Sequence, residues 1–262
     1  MFEPAAIPMS TPTTDILAEA ERLLEPARFE DYGPNGLQVP GPDQVSAIAT
    51  GVSAHAQLFE LAARGGAQLL IVHHGLFWGA GTRVIDPVLK RRLQILFEAD
   101  IALAAYHLPL DAHPEIGNNA LIAHALGAAG LRRFAEHRGE SIGILAELSG
   151  DGLGAGELSA AVAAAVGREP LLFESGPERV NTVAIVSGAG SDYIEQAAQA
   201  GADAFVTGEP AERVMAQARE LGVHFLAAGH YATETFGIRK LGDHLAERFA
   251  LEHFFLDAPN PI

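Results

Sequence analysis

A strand–helix–strand pattern occurs twice along this chain, and it limits the fold more than any other feature. Glu60, Ala62, Ala63, Gly66 and Ala67 recur 135 residues later as Glu195, Ala197, Ala198, Gly201 and Ala202. In the first copy the pattern predicts a strand over 46–52, a helix over 54–64, a Gly65-Gly66 stop and a strand over 68–72. The second copy repeats this as a strand over 182–187, a helix over 192–199, a stop at Gly201 and a strand over 203–207. A further helix follows in each half, over 86–99 and 211–221, and leads into a Leu-Ala-Ala-x-His strand at 103–107 and 226–230. These last strands are offset by 123 residues rather than 135, which places a shorter connection in the second half. Strands alternating with helices at these lengths imply parallel α/β units, and the self-similarity implies duplication. The expected architecture is therefore α/β, with two similar lobes over 14–131 and 141–262 and a ligand site in the cleft between them. Residues 1–13 are rich in Pro, Ser and Thr and read as a mobile tail. Ahead of the first copy, Ile16, Leu17, Ala20, Leu23 and Leu24 share a helix face that Thr14 or Asp15 can cap and Pro26 stops. Asp31 to Val39 reads as a turn entering extended chain. Further strands are expected over 141–147 and 171–174, with an Ala-rich helix from Gly154 to Val166, and the charged stretch 132–140 reads as a linker.

The ends of the apolar strands carry the chemistry. His73 and His74 close the run Gln68 to Val72, while His107 and His230 close the two Leu-Ala-Ala-x-His strands. Each of the latter is followed four residues on by a carboxylate, Asp111 and Glu234. Side chains just beyond the carboxyl ends of parallel strands converge without being close in sequence. Four imidazoles and two carboxylates suit a pair of divalent ions, zinc, iron or manganese, and the carboxylates can bridge them. In the first copy Pro109 favours a turn over regular helix. Adjacent His73 and His74 would point to opposite sides of an extended strand, so both can serve only where the backbone bends, which Gly75 permits.

Composition narrows the alternatives. No cysteine occurs, so disulfides, thiolate metal sites and cysteine nucleophiles are excluded. With 17 basic against 33 acidic side chains, the formal charge is −16, which argues against direct binding of duplex nucleic acid. No signal-peptide n-region precedes Arg22, and no apolar run reaches the ~18 residues of a membrane span. A cytoplasmic protein without membrane contact is expected.

Several features weigh less. His55, His113, His124, His137, His224, His244 and His253 lack strand-end context and read as surface or core residues. Glu209 occupies the repeat position of His74 and reads equally as an acceptor orienting an imidazole, a general base or a solvated carboxylate. Phe77 and Trp78 suit a pocket wall or a base-stacking surface, with core packing the favoured reading. Gly152 to Gly156 matches neither a P-loop nor a dinucleotide fingerprint, and no G-x-S-x-G occurs.

In order along the chain stand Asn35-Gly36-Leu37-Gln38-Val39, Val72-His73-His74-Gly75-Leu76-Phe77-Trp78, Tyr106-His107-Leu108-Pro109-Leu110-Asp111 through Gly117-Asn118-Asn119, Val206-Thr207-Gly208-Glu209 and Gly229-His230-Tyr231-Ala232-Thr233-Glu234. With these motifs the chain resembles the Nif-three-like family, whose members are also labelled GTP cyclohydrolase I type 2 homologues or dinuclear metal-centre hexamers. The resemblance implies a two-lobed α/β subunit, a toroidal homohexamer and two divalent metals per subunit. Position by position it implies His73, His74, His107, Asp111, His230 and Glu234 as ligands. The function expected is a metal-dependent hydrolase of a small substrate, with a purine nucleotide such as GTP suggested by the resemblance and Asp111 and Glu234 as the catalytic carboxylates. The alternative is a non-catalytic metal-binding oligomer acting as a store, chaperone or scaffold.

Overall fold

The computed structural model describes residues 10–79 and 84–262. The chain runs β1 (Thr11–Pro12), α1 (Thr13–Leu24), β2 (Gly36–Val39), β3 (Gln44–Val45), β4 (Ala47–Ser53), α2 (Ala56–Gly65), β5 (Leu69–His74), α3 (Pro87–Glu98) and β6 (Ala102–Ala105). It continues through α4 (Leu108–Asp111), α5 (Asn118–Ala125), β7 (Ala129–His137), β8 (Glu140–Glu147), α6 (Ala155–Val166), β9 (Leu171–Phe173), β10 (Thr182–Val186), α7 (Ile194–Gln199) and β11 (Ala204–Thr207). Last come α8 (Val214–Leu221), β12 (His224–Ala227), α9 (His230–Thr233), α10 (Thr235–Phe249) and β13 (Glu252–Phe255). Two compact units result: the chain up to His107 together with Ile238–Ala258, and Leu108–Gly237 together with Pro259–Ile262. This division differs from lobes over 14–131 and 141–262. The C-terminal segment returns to the first unit because β13 pairs in parallel with β4.

The first unit holds a five-stranded sheet in the order β13-β4-β5-β6-β2, parallel except for β2. Leu69, Leu70, Ile71 and Val72 are all fully buried. That is the continuous apolar run of a strand covered on both faces, each such side chain stabilising by roughly 1.5–3 kcal/mol. Helix α2 lies close against the sheet through Leu58, Phe59 and Ala62, and Gly51 has no room for a Cβ beside Leu58. His55 caps α2 by accepting from the Leu58 amide, and Asp86 caps α3 with Pro87 in the first turn. Of the expected tail, residues 1–9 lie outside the described residues. Thr11 and Pro12 instead pair antiparallel with Val45 and Gln44, and Thr13 opens α1 with its hydroxyl donating to the Pro42 carbonyl.

The second unit holds a six-stranded sheet in the order β7-β8-β10-β11-β12-β9. Strands β10, β11 and β12 are parallel, with β8 and β9 antiparallel on either side. Residues 132–140 are not a linker. They form most of β7 and the tight turn of a hairpin with β8, where Arg138 (φ 49°) and Gly139 (φ 94°) adopt the left-handed geometry two-residue hairpins need. The edge position hides this strand in the sequence: of β7's side chains only those of Phe134 and Ala135 are buried, so no alternation shows.

Candidate metal centre

In the first unit, β5 carries His73 and His74 to its carboxyl end, and the chain leaving β6 delivers His107. One nitrogen from each of the three rings lies within 4.8 Å of the others, an arrangement able to hold a metal ion. The ring centroids stand 4.7 Å apart for His73 and His74, 5.0 Å for His73 and His107, and 5.4 Å for His74 and His107. The adjacent histidines converge although both belong to the strand. His73 is fully buried and its Nδ1 turns to the Tyr106 carbonyl beside β6 at 3.1 Å, whereas Nδ1 of His74 meets the Ser53 hydroxyl at the end of β4 at 3.0 Å.

His107 is held by Asp31 and Asn35, in the stretch read from the sequence as a turn and not as part of the ligand set. Its Nδ1 donates to Asp31 Oδ1 at 2.7 Å, and its backbone N–H donates to Asn35 Oδ1 at 2.8 Å. Asn35 in turn donates its amide to Asp31 Oδ2 at 2.9 Å, and the Tyr32 backbone N–H donates to Oδ1 at 2.6 Å. The Asp31 side chain is only 3% exposed. Burial alone would push its pKa up, but His107, Asn35 and the Tyr32 amide outweigh this and hold the carboxyl below its ordinary value. A signal existed in Asp31 and Asn35 standing four apart in one turn; what they would meet was 76 and 72 residues away.

In the second unit, β12 ends at Ala227 and the chain enters the helical turn α9, which places His230 Nε2 3.1 Å from Glu234 Oε2. His230 Nδ1 donates to the carboxylate of Glu209, an acceptor that orients the ring. Burial would lower the His230 pKa, but Glu234 and Glu209 together raise it to about 9. Without an ion, two carboxylates therefore favour the imidazolium, and an ion must displace that proton. Gly188, at φ +61°, lets its backbone approach this pair; a Cβ there would run into Glu234 Oε1 and His230 Nε2. The Gly188 carbonyl accepts from the Gly208 and Glu209 amides, and its N–H donates to Thr233 Oγ1.

Asp111 belongs to another network of that unit. It ends α4, a single helical turn where a looser turn was expected; Pro109 is tolerated because the first helical residues have no partner for an N–H. Oδ1 accepts from Asn118 Nδ2 at 2.7 Å and from Ser187 Oγ at 3.0 Å. Asn118 is fully buried and accepts from the Gly237 amide, while Asn119 accepts from the Ser187 amide and donates to the Ile142 carbonyl. Ser187 and Asn118 thus orient a buried carboxylate. His224 lies elsewhere in the unit: its Nδ1 accepts the Ser175 and Gly176 amides and its Nε2 donates to the Pro177 carbonyl, a structural fastening. Core packing of Phe77 and Trp78 is overturned, for they are 39% and 42% exposed. No described helix is long and apolar enough to cross a membrane.

The family model Duf34/NIF3 (NGG1p interacting factor 3) matches residues 11–261. A protein of Pseudomonas aeruginosa named GTP cyclohydrolase 1 type 2 homolog is 43% identical over 256 residues, 98% of this chain and 99% of that one. One of the same name from Salmonella typhimurium is 46% identical over 239 residues, covering 91% and 94%. Among solved structures, the protein ybgI, described as of unknown function, superposes with a TM-score of 0.89 at 43% identity over 96% of this chain and all of that one. TTHA1606 from Thermus thermophilus superposes with a TM-score of 0.85 at 36% identity over 96% and 100%. The chain belongs to the Duf34/NIF3 family.

Proposed function

We propose that this protein is a metal-dependent hydrolase in which His73, His74, His107, Asp111, His230 and Glu234 hold two divalent ions, zinc, iron or manganese, and that its substrate is a small molecule of the purine-nucleotide class. One observation carries the reading. Nδ1 of all four imidazoles meets an oxygen: Tyr106 O for His73, Ser53 Oγ for His74, Asp31 for His107 and Glu209 for His230. A carbonyl or carboxylate partner fixes the ring and holds the proton on Nδ1 of His73, His107 and His230, so that Nε2 is the nitrogen a metal would take, and the Ser53 hydroxyl can accept from His74 in the same way. His137 and His253 also turn Nδ1 to an oxygen, but neither belongs to a cluster such as that of His73, His74 and His107, whose nitrogens lie within 4.8 Å of one another. The donors are nitrogen and oxygen throughout, which suits the three metals named.

Divalent ions, when bound, supply the Lewis acidity that brings the pKa of water close to neutrality. The chain's own residues supply the rest. Glu234, with a side chain 3% exposed, stands beside His230 as a proton acceptor, and Asp111 is kept oriented by Asn118 and Ser187. The names carried by the relatives support a nucleotide as substrate, with opening of the purine imidazole ring as the chemistry. Homohexamer assembly forms part of the same reading and rests on the family resemblance, and a cytoplasmic setting is proposed with it from the sequence reading given above. The three parallel strands shared by the two sheets, β4-β5-β6 and β10-β11-β12, support an origin by duplication.

Elemental analysis of the purified protein, then a hydrolysis screen of GTP and phosphoesters with each metal, tests the function. Two ions per chain and turnover are expected, both sharply reduced in Glu234→Gln. Unchanged metal content and rate in that variant would contradict the assignment. Full metal loading without turnover of any compound would leave the metal store or scaffold.

A further inference from the structure

The three-histidine cluster of the first unit has an exposed aromatic rim that its role as a metal centre does not use. Trp78 meets His107 edge-on, with centroids 5.1 Å apart and planes at 83°, and lies 5.5 Å from the His74 ring. Tyr32 flanks the same His107 ring at 6.0 Å. Both side chains stay open, Trp78 at 42% and Tyr32 at 44% exposed. Aromatic side chains of this size bury large apolar area when they can, so two held open beside one cluster need a reason.

The rim is also held in place. The indole N–H of Trp78 donates to the Gly75 carbonyl at 3.1 Å, which fixes the ring relative to the turn after His74. That turn is tied to the loop bearing Tyr32: the Gly79 amide donates to the Tyr32 carbonyl, and Gln38 accepts from the Leu76 amide at 2.7 Å while donating to the Pro34 carbonyl at 2.8 Å. Gly33 lies so close to the Phe77 carbonyl that a Cβ there would collide with it. Two loops far apart in sequence are thereby stitched into one support before any ligand arrives, which lowers the ordering cost of binding.

The geometry points to Trp78 and Tyr32 as a stacking platform for a planar heteroaromatic ring, which sets the substrate class of the neighbouring histidine cluster. This inference rests on the proposed hydrolase reading for its substrate, and it goes further by naming the residues that recognise the base. A ring laid on the indole gains stacking regardless of its hydrogen-bonding edge, so the platform selects for flat aromatic ligands over open-chain or purely phosphorylated ones.

Trp78 is the only tryptophan of the chain, so its emission reports the platform directly. Full-length metal-loaded protein is titrated with GTP, with adenosine, cytidine, a pterin and a flavin, and with inorganic tripolyphosphate as a ligand lacking a ring. Saturable quenching by at least one heterocycle and none by tripolyphosphate is expected. By isothermal titration calorimetry, since the variants lack the fluorophore, Trp78→Ala should weaken binding of the quenching ligand by roughly 5- to 150-fold with metal content unchanged, and Trp78→Phe should recover most of it. The inference is overturned if no heterocycle changes the emission up to millimolar concentration, or if Trp78→Ala binds the ligand as well as wild type. Should Trp78→Ala fail to fold, the wild-type titration decides. Quenching without hydrolysis would refute the proposed activity and keep the platform, whereas hydrolysis of GTP without quenching would refute the platform alone.

Discussion

Asp31→Asn separates the orienting role of Asp31 from its packing role. The carboxylate accepts from His107 Nδ1–H at 2.7 Å, the Tyr32 amide at 2.6 Å and the Asn35 amide at 2.9 Å. A carboxamide has the same shape but only one oxygen. With that oxygen kept toward His107 and Tyr32, its NH2 faces the NH2 of Asn35, and one bond of about 0.5–1.5 kcal/mol is lost. The bond to His107 also loses its charge, and charge-assisted bonds are roughly twice as strong as neutral ones, about another 1 kcal/mol. The metal-free variant should therefore unfold about 1–3 kcal/mol more easily. Its metal affinity should fall by roughly 10- to 100-fold, because the imidazole is no longer made more basic by a full negative charge. Asp31→Ala should lose more on both measures, since Asn35 and His107 are then left without their acceptor. Urea unfolding of the metal-free protein reads the first quantity, and competition against a chelator of known affinity reads the second. The reasoning is refuted if Asp31→Asn unfolds more easily yet binds metal within twofold of wild type; Asp31 would then be a packing residue alone.

Gly188→Ala adds a left-handed backbone penalty of roughly 1–2 kcal/mol and an overpacking cost of roughly 1–3 kcal/mol against Glu234 and His230. Urea denaturation should show the combined loss, and metal analysis a reduced content; wild-type values for both would show that the backbone moves aside freely. Glu19 is held down to about 2 by its hydrogen bonds to Arg22 and His244, against the opposing effect of burial. Its folded pKa lies below the unfolded value near 4.5, so its stabilisation is present above that pH and disappears as pH falls toward 2. Glu19→Gln should accordingly be less stable than wild type at neutral pH, with the gap closing between pH 4.5 and 2 in paired thermal melts. A gap independent of pH would place the effect outside the charge.

Much of the fold could be read from local pattern. Runs such as Leu69–Val72 and Ala102–Ala105 are apolar without alternation because both faces of a central parallel strand are covered, and Gly66 and Asp86 mark the end of α2 and the start of α3. Strand β7 escaped because an edge strand leaves most of its side chains in water. The return of residues 238–258 to the first unit escaped because the pairing of β13 with β4 joins segments roughly 200 residues apart, and nothing in either segment names its partner.

The histidines and carboxylates stood out in the sequence because their types and their positions after apolar strands are local facts, and the chemistry of nitrogen and oxygen donors follows from type alone. Which oxygen each Nδ1 meets, and so how each ring is oriented, was decided by tertiary structure. Asp31 reaching His107, Ser53 reaching His74, Tyr106 offering its carbonyl to His73 and Glu209 bracing His230 are contacts between separate segments. The exposure of Trp78 belongs to the same class, since the apolar residues beside it suggest a core and only the packed chain shows the indole left at the rim. Residue type and spacing determine what a segment can do, but orientation depends on neighbours brought close by folding, and one segment carries no record of the other's position.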